Sequence, residues 1–282
     1  MQSHSPYSIA FVAFPILLAL TAVSVKAETT TVPIRLHDTE APVVVVRVQG
    51  RDLPLQLDLG DASSLVLHPE ALAPLRREPT SDRYKGFGMD GKIDTPIFRL
   101  DLIEIGGLKF RGVDVRQDVH DEGFRKYKRT EVGAVGFIGT GVFEAGQIRL
   151  DYPRKRLTIL LPEKTAAVQN RCRGKPIPFV LNEYGFTTGV STDIGELQLG
   201  WDTGTPAILI SRSTANAVQT LTGEDSTLTE KFVIGGKNFG PQRIEIWNDM
   251  PLPPEIAGLI GHPFFAKHVV CFDYAASAVH VE

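Results

Sequence analysis

The chain is poor in several features that would settle its class early. Of 282 residues, only two are cysteine, three methionine and two tryptophan. No Cys/His spacing of the zinc type occurs. There is no excess of positive charge: 30 Lys and Arg stand against 33 Asp and Glu, a formal net charge of −3. Nothing in that balance draws the chain to nucleic acid. Coiled-coil heptads and low-complexity runs are absent. Past residue 27, no stretch approaches the ~20 apolar residues needed to span a bilayer. Sustained helical period is scarce; Pro69 to Leu75 and Ser211 to Leu221 are the best short candidates. GGKNFG (235–240) lacks P-loop spacing and has no helix after it, so it reads as a hairpin turn.

What is present is ordinary globular material, 43% hydrophobic and 22% charged, enough for a core in one large domain or two small ones. Ile9 to Val25 is almost unbroken apolar sequence, followed by Lys26, Ala27 and a polar Glu-Thr-Thr-Thr. Residues 1–27 therefore read as a signal peptide cleaved after Ala27, giving a periplasmic or secreted protein with no membrane span. A retained N-terminal anchor is the other reading, although Pro15 would kink a spanning helix. In an oxidising compartment, Cys172 and Cys271 are expected to form one disulfide, tying the start of the second half to its last strand. Two buried free thiols are the alternative.

Strand signals dominate. Val43 to Val48 is rich in β-branched residues, QGRD (49–52) is a turn, and Leu53 to Asp58 alternates apolar and polar. Short runs of the same kind continue to the C-terminus, so the fold class is all-β.

The chain also resembles itself. LQLDLGDASSLVL (55–67) matches LGWDTGTPAILIS (199–211), setting Asp58 over Asp202 and Gly60 over Gly204. IEIGGLKF (103–110) matches FVIGGKNF (232–239), VGFIGTGVF (135–143) matches AGLIGHPFF (257–265), and LDYPRKRLTI (150–159) matches FDYAASAVHV (272–281). Four markers recur in one order, which is the mark of an internal repeat. Asp58 lies 48 positions before Gly106, whereas Asp202 lies 33 before Gly235, so the first copy carries 15 extra residues. They fall around YKGFGMDGKIDTP (84–96), where Asp90-Gly91 is a type I′ hairpin signal. The reading is two lobes, 28–165 and 172–282, with the join near Thr165 to Arg173.

Two similar lobes packed about a pseudo-twofold axis would bring Asp58 and Asp202 face to face. Two adjacent carboxylates cannot both ionise comfortably, so they share a proton. The ionised one can take a proton from water while the protonated one hydrogen-bonds the carbonyl under attack. Gly60 and Gly204 let each loop turn tightly and aim an N–H at its carboxylate.

These residues resemble the pepsin/retropepsin family of aspartic proteases, and more closely the exported bacterial two-lobe, retropepsin-like type. The likeness rests on Asp202-Thr203-Gly204-Thr205, Asp58-Leu59-Gly60, Phe137-Ile138-Gly139 and Leu259-Ile260-Gly261. It implies a bilobal fold of two β-barrel-like lobes with a cleft between them. It also implies peptide-bond hydrolysis by the Asp58/Asp202 dyad, a peptide or protein substrate lying as an extended strand, a monomeric enzyme, and neither metal nor cofactor. A flap from the first lobe is implied too, and Phe87, Gly88, Met89, Asp90 and Gly91 fall where it belongs.

The pattern departs at two places. The residue after each catalytic Asp is usually Thr or Ser, whose hydroxyl braces the opposite loop; Thr203 can do this and Leu59 cannot. Asp61 stands where a small or hydroxyl residue is common, as Thr205 does in the second copy. It either raises the pKa values of the dyad or simply caps the following turn. These departures keep a second reading open, a protein of the same fold that binds extended peptides without cutting them. Elsewhere, Asp118 to Glu122, with His120, reads as a solvated acidic loop rather than a metal site. The basic run Arg125 to Arg129 reads as an exposed loop, His262 as structural, and Trp201 and Phe264-Phe265 as core.

Overall fold

Val43–Val48 pairs with Arg51–Leu57 through a tight turn in which Gln49 and Gly50 both take positive φ, 50° and 80°. Such turns match the twist of the strands they join. The Gly106-Gly107 and Gly235-Gly236 pairs are likewise both at positive φ, which is why the glycine pair recurs in the two copies. The computed structural model describes residues 28–36, 42–88, 91–144, 146–161, 172–182, 185–218, 225–248 and 252–282. The expected signal peptide 1–27 lies outside the described residues, as does most of the expected join.

The first half forms strands β1 (Glu28–Pro33), β2 (Val43–Val48), β3 (Arg51–Leu57), β4 (Leu65–Leu67), β5 (Glu78–Gly88), β6 (Gly91–Ile105), β7 (Leu108–Gln117), β8 (Gly136–Ile138), β9 (Gln147–Asp151) and β10 (Arg156–Leu161). The second forms β11 (Ile177–Pro178), β12 (Val180–Asn182), β13 (Gly185–Thr192), β14 (Gly195–Trp201), β15 (Leu209–Ser211), β16 (Ser226–Thr229), β17 (Phe232–Ile234), β18 (Lys237–Asn238), β19 (Gln242–Trp247), β20 (Gly258–Ile260), β21 (Val269–Asp273) and β22 (Ala278–Val281).

One sheet, in the order β2-β3-β8-β4-β7-β6-β5, belongs to the first half, and the run β13-β14-β20-β15-β19 repeats its order in the second. The strand senses repeat too. β3 is parallel to β8, β4 parallel to β7 and β4 antiparallel to β8; the pairs β14/β20, β15/β19 and β15/β20 do the same. The halves join in a third sheet, β1-β10-β9-β21-β22-β11. There Arg149 lies opposite Cys271, Leu150 opposite Val270 and Ile148 opposite Phe272. Arg149 and Cys271 are equivalent in the sequence repeat, so this register is its own image under a twofold passing between them. The architecture is all-β and bilobal.

The apolar faces of both lobes merge in one core that includes Val44, Leu57, Leu150, Trp201, Ile246 and Phe272. Trp201, Phe264 and Phe265 have no exposure. Helices are short: α1 (Pro69–Leu72), α2 (Glu122–Tyr127), α3 (Arg212–Ala217) and α4 (His262–Phe265). α1 and α3 fall inside the two expected stretches, and Ser211 caps α3 by accepting the Thr214 N–H.

The basic run is helical and not a loop, although Lys126, Tyr127 and Arg129 are exposed as expected. Arg125 to Tyr127 are in α2 and Lys128–Val132 continues as a π-helical turn, with Lys128 buried. Asp121 caps α2, while Glu122 pairs with both Arg125 and Arg129. Cys172 and Cys271 are joined by a disulfide with a Cα–Cα distance of 5.5 Å. Cys271 lies in β21, the next-to-last strand rather than the last. Among the described residues, no helix is long and apolar enough to cross a membrane.

Candidate active site

Each candidate Asp follows the end of a strand that is hydrogen-bonded to its neighbour. The Asp58 N–H donates to the Ile138 carbonyl of β8 at 2.9 Å, and the Asp202 N–H to the Ile260 carbonyl of β20 at 3.1 Å. The loops then turn back on their own carboxylates. The Gly60 N–H donates to Asp58 Oδ1 at 3.0 Å, and the Gly204 N–H to Asp202 Oδ1 at 2.6 Å. Behind each loop runs the apolar-apolar-Gly segment of the same lobe. The Thr140 N–H donates to the Asp61 carbonyl at 2.9 Å and the His262 N–H to the Thr205 carbonyl at 3.0 Å. A Cβ on Gly139 would lie 2.2 Å from the Ser63 carbonyl oxygen, and one on Gly261 2.1 Å from that of Ala207. Only glycine leaves room for that contact.

The two loops meet across the lobes. A Cβ on Gly60 would stand 2.7 Å from Asp202 Cγ, and one on Gly204 2.9 Å from Asp58 Oδ2. The two carboxyl groups therefore lie together between the loops and remain partly exposed. Enclosure by protein pushes the Asp58 carboxyl well above the usual carboxylate range, and the charges of Asp202 and Asp61 push it further. Enclosure also raises Asp202, but the Gly204 N–H, the hydrogen bond from Asp58 and the Thr205 N–H hold it down against the charge of Asp61. Both carboxyls are thus pushed towards the protonated form, and the two titrate as a pair. Tyr152, in the turn after β9, is buried close by. Its phenol is pushed well above its usual range by burial and then by the charges of Asp202 and Asp58.

Thr203 braces the opposite loop. Its buried hydroxyl accepts the Leu59 N–H at 3.0 Å and donates to the Leu57 carbonyl at 2.7 Å. Leu59 offers no hydroxyl in return; its side chain has no exposure and packs in the core. Asp61 takes up both alternatives left open by the sequence. Oδ1 accepts the Ser63 N–H at 2.7 Å, a cap on the following turn. Oδ2 accepts from Arg116 Nη2 at 2.9 Å, while its charge raises both dyad carboxyls.

Arg116 was not singled out by the sequence, and neither were Ser63, Tyr84 or Tyr152. Arg116 lies on β7, donates Nε to Ser63 Oγ at 3.0 Å, and carries the Tyr84 ring 4.2 Å from its guanidinium carbon. Tyr84 belongs to the added hairpin. There Gly88 pairs with Gly91 and Phe87 with Lys92; the expected tip residues Met89 and Asp90 lie outside the described residues. A cavity of about 230 Å³ opens beside these groups, lined by Ala62, Ser64, Tyr84, Ile97, Arg116 and Glu144 among others.

Among the described residues, no cluster of His, Cys, Asp and Glu could hold a metal ion. The Asp118 stretch is not wholly solvated. Asp118 is buried and accepts the His120 N–H at 3.0 Å and its Nδ1 at 2.6 Å. Burial works against its ionisation, but those His120 contacts hold the carboxyl below its usual range. His262 packs on the Tyr152 ring, 5.8 Å between centroids.

No protein-family model matches the chain, and no curated protein does. Among solved structures, it is similar to the aspartic proteinase from Irpex lacteus, with a TM-score of 0.57 and 12% identity over 90% of this chain and 97% of that one. At that identity the likeness shows the fold alone, a pepsin-like bilobal fold.

Proposed function

We propose that the chain is an aspartic endopeptidase of the exported, two-lobe, retropepsin-like kind, with Asp58 and Asp202 as its catalytic dyad. One observation carries the reading. Two loops from equivalent places in the repeat present their carboxyls to each other, each held by the N–H of its own glycine. Asp202, as the carboxylate, takes a proton from a water held between the pair. That water's oxygen adds to the peptide carbonyl carbon. Asp58 gives its proton to the carbonyl oxygen, producing a neutral tetrahedral diol. Asp202 then returns its proton to the departing nitrogen while Asp58 takes one from a diol hydroxyl, so the C–N bond breaks, an acid and an amine leave, and both aspartates are restored. The substrate lies extended, bonding through its backbone to the loops and to the added hairpin. Both Asp loops come from one chain, so a monomer suffices. The disulfide suits an oxidising compartment and hence removal of residues 1–27 on export.

Leu59 favours a second reading, binding without cleavage, because only one of the two usual hydroxyl braces is present. Mass-spectrometric analysis of a diverse peptide pool from pH 3 to 8, with wild type beside Asp202→Asn, separates the two. Cuts that vanish in the variant support the endopeptidase. Bound but uncut peptides with folded wild type at every pH support the binder.

A further inference from the structure

Asp61 puts a third carboxylate beside the Asp58/Asp202 pair, and Arg116 supplies a cation for it. Arg116 is 7% exposed at its side chain, Asp61 19%, and they meet at 2.9 Å. A second guanidinium nitrogen holds Ser63 on the same loop, and the aromatic ring of Tyr84 covers the guanidinium face. A planar fork held by two acceptors and by a ring on one face has a single orientation. The internal repeat provides a comparison within the molecule. Val66 pairs with Arg116 between β4 and β7, and Ile210 pairs with Ile246 between β15 and β19. The counterpart of Arg116 is thus Ile246, and that of Asp61 is Thr205. Acid and base occur together in one lobe and are both missing from the other.

We propose that Arg116 is a positioning residue for the dyad: it fixes Asp61 and Ser63 and sets the charge that the first loop presents to Asp58 and Asp202. The inference rests on reading those two aspartates as a working pair. Other groups also face them. Tyr152 lies beside the dyad with His262 packed on it, and Glu144 and Asp114 line the cavity next to Arg116, with Asp114 held by Arg99 at 2.8 Å. The group ion-paired with Asp61 is Arg116.

The test follows the titration of the aspartates by carbon-13 NMR in the mature protein labelled at aspartate Cγ, with Asp58→Asn assigning the dyad signals. Asp61→Asn, which leaves Arg116 as an unbalanced cation, should move the dyad titration to lower pH by roughly half a unit or more, about threefold in proton affinity. Arg116→Met, which leaves Asp61 unbalanced, should move it to higher pH. The double variant should stay near wild type, and Arg116→Lys, which keeps the charge but not the fork, should shift less than Arg116→Met. If Arg116→Met does not fold, Asp61→Asn and the double variant carry the comparison. Singles that move in the same direction, or an Asp61→Asn titration identical to wild type, overturn the proposal. The peptide assay reads the function separately. Opposite titration shifts in a protein that never cuts would overturn the endopeptidase and keep the role of Arg116; cutting with unmoved titrations would do the reverse.

Discussion

Thr203 connects the loops from one side only, and both of its bonds end on backbone groups, Leu59 N–H and Leu57 C=O. Thr203→Val keeps the shape and orphans both groups. Each buried unpaired group costs about 1–3 kcal/mol, so urea unfolding should show a loss of more than about 2 kcal/mol. Leu59→Thr is not its mirror image: it adds a hydroxyl but removes apolar bulk from the core, and should destabilise rather than repair.

The enclosure of the Asp58 carboxyl also leaves a thermodynamic trace. That carboxyl is raised in the folded state, so its contribution to stability is complete below the unfolded value near about 4 and is lost as pH rises through the folded one. Asp58→Asn should therefore be more stable than wild type at neutral pH, with the gap closing in acid. Chemical denaturation at pH 3 and pH 7 measures it. The dyad itself was legible because each member sits in a repeated strand–Asp–x–Gly pattern. Arg116 was not, since it lies 55 residues from Asp61 and at an alternating polar position of β7. A signal was present nonetheless: opposite charges in the first copy face Thr205 and Ile246 in the second.

At the scale of elements, two three-residue strands, β8 and β20, hold the Asp loops from behind. Their following glycines are extended, φ −99° at Gly139 and −110° at Gly261, so the demand is for space and not for a left-handed turn. Gly139→Ala and Gly261→Ala should each cost about 1–3 kcal/mol or more and should lower any dyad-dependent cleavage. Gly189→Ala on β13 is the control: its nearest neighbour stands 3.9 Å from the added methyl, and the change should stay within about 0.5 kcal/mol. Strands and their turns could be read from alternation and glycine pairs. α2 could not, because Glu122 to Arg129 is mostly charged, with only Phe124 and Tyr127 to mark an apolar side. Its helix is held by the Asp121 cap, by pairs to Glu122 and by the burial of Lys128.

For the molecule as a whole, the disulfide spans 99 positions and anchors the second half to the strand on the twofold. Closing so long a loop in the unfolded chain is worth about 2–5 kcal/mol. Replacing both Cys172 and Cys271 by Ser should lower stability by that much under non-reducing conditions, and dithiothreitol should reproduce the loss in wild type. The β9–β21 register, which maps onto itself, has a further consequence. An interface of this kind is one that two identical chains could build, yet identical chains are bound to carry the same residue at every equivalent place. Covalent linkage lifts that obligation. It lets one loop keep a hydroxyl while the other trades it for leucine, and lets one lobe hold an ion pair that the other does without. Unequal surroundings for a pair of like acids are then written into the polypeptide itself.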